Sequence, residues 1–461
     1  MKLPGTINKR TKKDEEVDDD EFSFGSESSD GEDGQQLNDD EFFEETSDER
    51  RLRLAKEHLD TLTGFTGADG EDDDDGIVDE GKETEDMDPI ALRLHREAQK
   101  LKGKLKRKVA ENIREKKQED FSIKIMRGHR KPVTCVCLSA DDTVAYTGSK
   151  DGSIIKWDIV NHKKLYTIKR VVPQIETKKK KSKKRRSIFN TGNAMGHTRA
   201  VFCVAVSTDG KLLASGGEDP YLMVWDTESF ELKYRLSGHR DAITCVAFRE
   251  NTYTCFSGST DRTVRVWDLA TGAYVESLYG HQSDILSMDS LLLERAITSG
   301  YDKSCRLWKI PEQTQLVFKT GAKAALDCVR YVDDGRWVTA CQDGSVALWS
   351  LKKKKPIAKR DRAHAGRWVT SVASRIFTDL IASGSSDGYL KLWQITDDTK
   401  LSSVHQIPVV GYINGICFSR NGRFLVLGVA QEHRMGRWER IREARNGIHI
   451  VYLDRQSEGH S

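Results

Sequence analysis

No run of 18 apolar residues occurs in the 461-residue chain, and Met1 is followed by lysines and acidic runs rather than an apolar core. That pattern offers no membrane span and no secretory signal, and predicts a soluble chain without a membrane partner. Cysteine is scarce and badly placed for pairing: there are nine, an odd number, and only Cys135 and Cys137 stand close together. Without a second pair there is no zinc spacing, and no disulfide frame is expected, so the thiols read as reduced and buried. A phosphate-binding glycine loop, a metal-spaced cluster and a nucleophile outside the repeat register are missing too. These absences predict no enzyme, no catalytic residue, no cofactor and no metal.

What is present is charge, unevenly spread. Residues 1–120 hold 21 Lys+Arg and 37 Asp+Glu, a net of −16; subtracting from the totals of 74 and 72 leaves 53 and 35, a net of +18, in 121–461. An acidic arm on a basic body points to an anionic partner for the body, or to an arm that shields it. Residues 1–88 read as a mostly disordered acidic arm: positions 14–88 carry 32 acidic and 5 basic residues, too little apolar surface to offset chain entropy. Two islands break it. "RLRLAKEHLDTL" (51–62) has near-helical leucine spacing. "DPIALRLHREAQKLKGKLKRKVAENI" (88–113) opens with Asp-Pro and aligns Ile90, Leu94, Leu101, Leu105 and Val109, so 89–120 reads as a basic amphipathic helix and linker.

From residue 121 the periodicity turns from helical to alternating, and a repeat emerges. Trp157, Trp225, Trp267, Trp308, Trp349 and Trp393 are separated by 68, 42, 41, 41 and 44 residues. Six positions before each stands an aspartate (Asp151, Asp219, Asp261, Asp302, Asp343, Asp387), and four before that a Ser or Thr. Gly-His pairs place His129, His197, His239 and His281 upstream of the first four, with Ala363-His364 in the sixth unit. This is the WD40 pattern, in which each unit builds one four-stranded propeller blade. The recurring His, Asp, Ser/Thr and Trp therefore read as a buried structural network, not as a set of active sites.

A seventh unit follows the sixth, "VGYINGICFSRNGRFLVLGV…GIHIVYL", with three strands and no Trp. Its fourth strand is expected from "FSIKIMRG" (121–128), which would close the ring and remove a sheet edge. The chain is thus read as all-β, a seven-bladed propeller over 121–455. Unit five lacks its Gly-His, so its blade is expected to be held less tightly.

A scaffold accounts for the regular positions, which leaves function to the irregular ones. A basic insertion (170–195) accounts for the long first Trp spacing. It carries Lys178, Lys179, Lys180, Lys181, Lys183, Lys184, Arg185 and Arg186, read as a nuclear import signal or a nonspecific phosphate grip. The second insertion, "AQEHRMGRWERIREARNG" (430–447), has five arginines, a Trp, a His and no lysine, where a short turn would suffice. Arginine forks match phosphate and stack on bases, which suits RNA; pairing with Glu432, Glu439 and Glu443 in a self-contained helical loop is the competing reading. Topology places both insertions, and "HAGRWV" (364–369), on one face of the disc.

Beyond the repeat, "GHRDAITCVAFR", "YVESLYGHQ", "RLWKIPEQTQLVF", "QDGSVALWSLKKKKPIA" and above all "PVVGYINGICFSRNGRFLVLGVAQEHRMGRWERIREARNGI" resemble one branch of the WD40 family, from about residue 50 to the end. That branch is the 55-kDa-type protein specific to the U3 small nucleolar ribonucleoprotein. The resemblance implies a nucleolar, non-enzymatic subunit, a monomer within a large complex. It would join U3 RNA at the B/C motif beside the kink-turn-binding protein of the box C/D particle. Other box C/D core proteins and small-subunit processome proteins would surround it, in the service of ribosomal RNA processing. Mapped onto this chain, the contact surface would comprise Gln431, Glu432, His433, Arg434, Arg437, Trp438, Arg440, Arg442 and Arg445, extended by Arg367, Trp368 and Asn414. The N-terminal helices would bind neighbouring proteins. The rival reading is a protein-only adaptor, a ubiquitin-ligase receptor or histone-binding scaffold; against it stand the basic body and the want of an adaptor-binding box.

Overall fold

The computed structural model describes residues 107–117, 120–171, 196–321, 324–396 and 399–453. The acidic arm, the 51–62 island, most of the 88–113 stripe and the lysine cluster lie outside the described residues. The described chain holds 28 strands in seven four-stranded antiparallel sheets, the seven blades expected from the repeat. Within a blade the second strand is almost wholly buried, as in Leu212–Gly217 and Leu380–Ser385, while the outermost strand, such as Lys163–Ile168, is largely exposed. Blades are stapled near the axis by hydroxyls on the innermost strands. Thr134 donates to Val201 O (2.7 Å), and Thr370 to Ile413 O (2.6 Å). These bonds satisfy buried carbonyls where one blade meets the next.

The repeated side chains form the wired network that the spacing implied. In blade four, His281 Nδ1 lies 2.9 Å from Asp302, its Nε2 2.7 Å from Thr298 Oγ1, and Trp308 Nε1 donates to the same hydroxyl at 2.9 Å. With Nδ1–H given to the carboxylate, Nε2 accepts the Thr proton, so each group is used once. Blades three and six repeat this through His239–Ser257–Trp267 with Asp261, and His364–Ser383–Trp393 with Asp387. In blade two, His197 and Trp225 meet on Ser215 at 2.8 Å each, with Asp219 at 3.5 Å from the ring. In blade one, His129 and Trp157 meet on Thr147, but Asp151 is 3.9 Å away and Ser153 Oγ takes the ring's other side at 3.1 Å. Burial alone would raise the aspartate pKa values, yet the His, Ser/Thr and backbone donors outweigh it and hold Asp219 at about 2 and Asp261 and Asp302 lower still.

Blade five keeps Trp349 Nε1 on Thr339 Oγ1 (2.9 Å) without a His, and packs Trp337 and Trp349 around Phe318 instead. A direct comparison follows. Thr298→Val strands both an indole and an imidazole and is expected to cost about 2–3 kcal/mol, whereas Thr339→Val strands one indole and should cost about 1 kcal/mol. Urea midpoints of the two variants decide it; equal losses would mean that the histidine adds nothing to its blade.

Blade seven is built from both ends of the propeller. Its strands Tyr412–Phe418, Phe424–Ala430 and Gly447–Tyr452 are completed by Ser122–Met126, antiparallel to the last, with Lys124 opposite Ile450. Just before it, a five-residue helix, Ala110–Arg114, docks on blades six and seven. It is the only described part of the helix expected at 89–120. Val109 supplies no cap; the carboxylate of Asp379 does, accepting the N–H groups of Val109 and Ala110 at 2.8 and 3.1 Å. Ala110 and Ile113 are buried beside Leu392, Ile407 and Val451, and His405 Nε2 donates to Ile113 O.

Candidate nucleic-acid interface

The loop between the second and third strands of blade seven is no helix: residues 431–446 run through bends and extended stretches. The helical reading is therefore corrected. The loop is held by tertiary contacts with blades one, four and five and with the connection into blade six. Arg434 turns down into the narrow central channel, where Nη2 donates to Leu286 O (3.0 Å) and Asp327 O (2.9 Å) on the innermost strands of blades four and five. Asn414, on blade seven's own innermost strand, donates to Val133 O and Glu432 O and accepts the Arg434 N–H. Lys150, in the turn of blade one, donates to Gly436 O at 3.1 Å and sits 3.8 Å from Glu432.

His433 is 2% exposed and stacks on Trp368 with centroids 4.2 Å apart. Its Nδ1 accepts the Met435 N–H, which puts the proton on Nε2. Burial first, then Arg434 and Lys150, press its pKa well below the usual imidazole value, so the ring is neutral. Trp438 lies over Trp368 (5.1 Å) and His433 (5.3 Å) yet remains 65% exposed. A Cβ on Gly436 would stand 2.9 Å from its ring, so glycine is what lets the indole lie on this turn. The Nε2 of His433 and the Nε1 of Trp368 find no hydrogen-bond partner among the described residues.

The nominated residues therefore divide. Glu432, His433 and Asn414 are buried, and Arg434 is directed into the channel, so these four brace the loop from within. Gln431 is likewise a tie-point, bonding the Ala444 carbonyl, the Asn446 side chain and Arg440. Facing outward are Arg437, Trp438, Arg440, Arg442 and Arg445, joined by Arg367 from the neighbouring connection, which pairs with Glu439 at 3.3 Å. Arg437 pairs with Glu432 (2.7 Å) while its side chain stays 74% exposed. Among the described residues the side chains of Arg442 and Arg445 have no partner. Sequence reasoning missed Lys150, Asp327 and Tyr412, the last donating to Glu439 (3.2 Å). Each is a regular repeat position with no local mark of its role. The geometry presents an open indole ringed by guanidinium forks on a rigid base, an arrangement able to stack a base and hold its phosphates.

The WD domain, G-beta repeat family matches residues 121–158, 190–226, 230–268, 272–309, 313–350 and 355–394, leaving the strands and loop of blade seven after residue 394 unmatched. The U3 small nucleolar RNA-interacting protein 2 of Homo sapiens is 38% identical over 424 residues, covering 90% of this chain and 83% of that protein. Ribosomal RNA-processing protein 9 of Saccharomyces cerevisiae is 27% identical, covering 90% of each. A solved structure of U3-55K superposes with a TM-score of 0.66 at 40% identity, covering 72% of this chain and 98% of that one.

Proposed function

The chain belongs to the family of WD40 proteins associated with the U3 small nucleolar ribonucleoprotein, and on that premise we propose that it binds U3 RNA at the B/C motif beside a kink-turn-binding protein. Its role lies in the U3 particle and in ribosomal RNA processing, and with it small-subunit ribosome biogenesis. It acts as a scaffold rather than an enzyme, in the nucleus and nucleolus, among the other box C/D and processome proteins. The observation that carries the RNA contact is the outward set of Arg437, Trp438, Arg440, Arg442 and Arg445, presented on a base locked by Arg434 and Asn414. A rigid, arginine-forked surface loses little entropy on binding and suits phosphate and base stacking together.

The test leaves the anchor alone. Arg442→Ala and Arg445→Ala combined, which break no pairing among the described residues, should reduce affinity for a U3 transcript at least tenfold and flatten its salt dependence, with the thermal midpoint unchanged. Undiminished RNA binding by that variant would sink the loop assignment. If RNA binding were undiminished while a particle protein was lost on co-purification, the protein-only adaptor would take its place.

A further inference from the structure

Cationic side chains continue from the arginine loop across blade one. Lys150 bridges the two, bonded to Gly436 O, and its own N–H is held by Pro132 O beside Lys131. Arg130, next along, is fixed by its N–H to the Asp151 carboxylate (3.3 Å). The third member, Arg170, lies over the same turn: a Cβ on Gly152 would stand 3.1 Å from Arg170 Cγ and 2.6 Å from Arg199 O. Arg130, Lys131 and Arg170 are exposed, and among the described residues their side chains have no hydrogen-bond or ion-pair partner. The track ends near Val171, whose N–H donates to His197 O.

On blades three and four the same face mixes signs, with Asp241 and Asp284 beside the exposed Arg240, Arg262 and Lys303. Burial first, then the neighbouring Asp241, raise the pKa of Asp284 there, and Arg199 at the far side of the track is already matched by Glu218 (3.1 Å). A flexible polyanion held at the arginine loop thus meets three unpaired cations on the adjoining blade one, and mixed charge on blades three and four.

We propose that a phosphodiester backbone leaving the arginine loop is carried over blade one by Lys131, Arg130 and Arg170. This rests on the RNA reading of the loop but is separate from it: the loop reads a site, whereas the track holds phosphates without regard to sequence. No base-facing group lies among the three side chains, so each supplies one phosphate contact.

The experiment is titration of the full chain with a U3 transcript and with an oligouridylate, over a range of salt. Arg130→Ala, Lys131→Ala and Arg170→Ala combined should lower the salt slope by about 2, at roughly 0.7 per contact on single strands, and weaken both RNAs about tenfold. The exchange Arg130→Lys, Lys131→Arg and Arg170→Lys keeps the charge and should restore the slope, which a structural lesion would not. If the neutral variant keeps the wild-type slope and affinity while the loop variant loses binding, the track is wrong and the loop stands. A loop variant that binds as wild type removes the loop reading whatever the track does. If the neutral variant keeps RNA but loses a protein of the particle, the track is a protein surface and the proposal fails.

Discussion

Replacing Arg434 with Ala is expected to cost about 3 kcal/mol of folding stability and to abolish RNA binding, although the side chain points into the channel and not onto the outward surface. Two charge-assisted bonds, to Leu286 O and Asp327 O, are lost, and two carbonyls on the channel wall are left without their donor. The effect on the loop is larger than the effect on the ring. Residues 431–446 have no secondary structure of their own, so their positions depend on Arg434, Asn414 and Lys150. Without the guanidinium, His433 has no fixed seat against Trp368, and the platform beneath Trp438 loosens. Hydrogen exchange at 433–438 should rise by at least a hundredfold while the amides of blades two and three keep their protection. Slow exchange at 433–438 in the variant would mean that Asn414 and Lys150 suffice. Arg434→Lys should not rescue, since a single ammonium cannot reproduce the planar fork.

The second large effect is a pH dependence centred on Asp327. Its carboxyl is buried, Gln342 Nε2 reaches one oxygen at 3.2 Å, and the other has no partner among the described residues. Burial raises its pKa from 3.8 to about 7, against the opposing pulls of Arg434 and the Gln342 bond. The sign follows from proton counting. Between about pH 4 and 7 the folded chain keeps a proton here that the unfolded chain has released, so stability falls as pH rises through that window. Three units correspond to an order of about 4 kcal/mol. Asp327→Asn, neutral throughout, should be less stable than wild type or equal to it at pH 4.5, and more stable at pH 8. Urea midpoints at the two values measure this; parallel pH profiles for both proteins would contradict it. With Arg434→Ala the cation that holds the carboxyl down is gone, and the window should move to higher pH.

These two residues also mark where sequence reasoning stops. The blades were legible because Trp, Asp and Ser/Thr recur in fixed register, and the seventh could be read from alternation even without its Trp. The closing strand followed from the same logic, since a three-stranded last unit leaves an edge that only an upstream segment can fill. The arginine loop stood out by composition, but composition could not sort its members. Arg434 and Arg437 look alike in the chain; one points into a channel assembled from the innermost strands of all seven blades, the other into solvent. That channel exists only after closure, so no local pattern announces it. Glu432, His433 and Asn414 look no different in the chain from the exposed members of the loop, and only the fold shows that they are buried. Lys131 and Arg130 follow a Gly-His pair and were absorbed into the repeat, although their charge is unmatched.

The strand Ser122–Met126 is the first part of the propeller to be synthesised, and its partner Gly447–Tyr452 is the last. About 320 residues separate them, roughly 15–60 seconds of translation, during which Ile123 and Ile125 wait without a sheet. A chain broken off anywhere before blade seven has neither a closed channel to seat Arg434 nor an arginine loop to display. Only a ring sewn shut by its own first strand presents the loop surface, so under the RNA reading proposed above an unfinished copy would lack its means of contact.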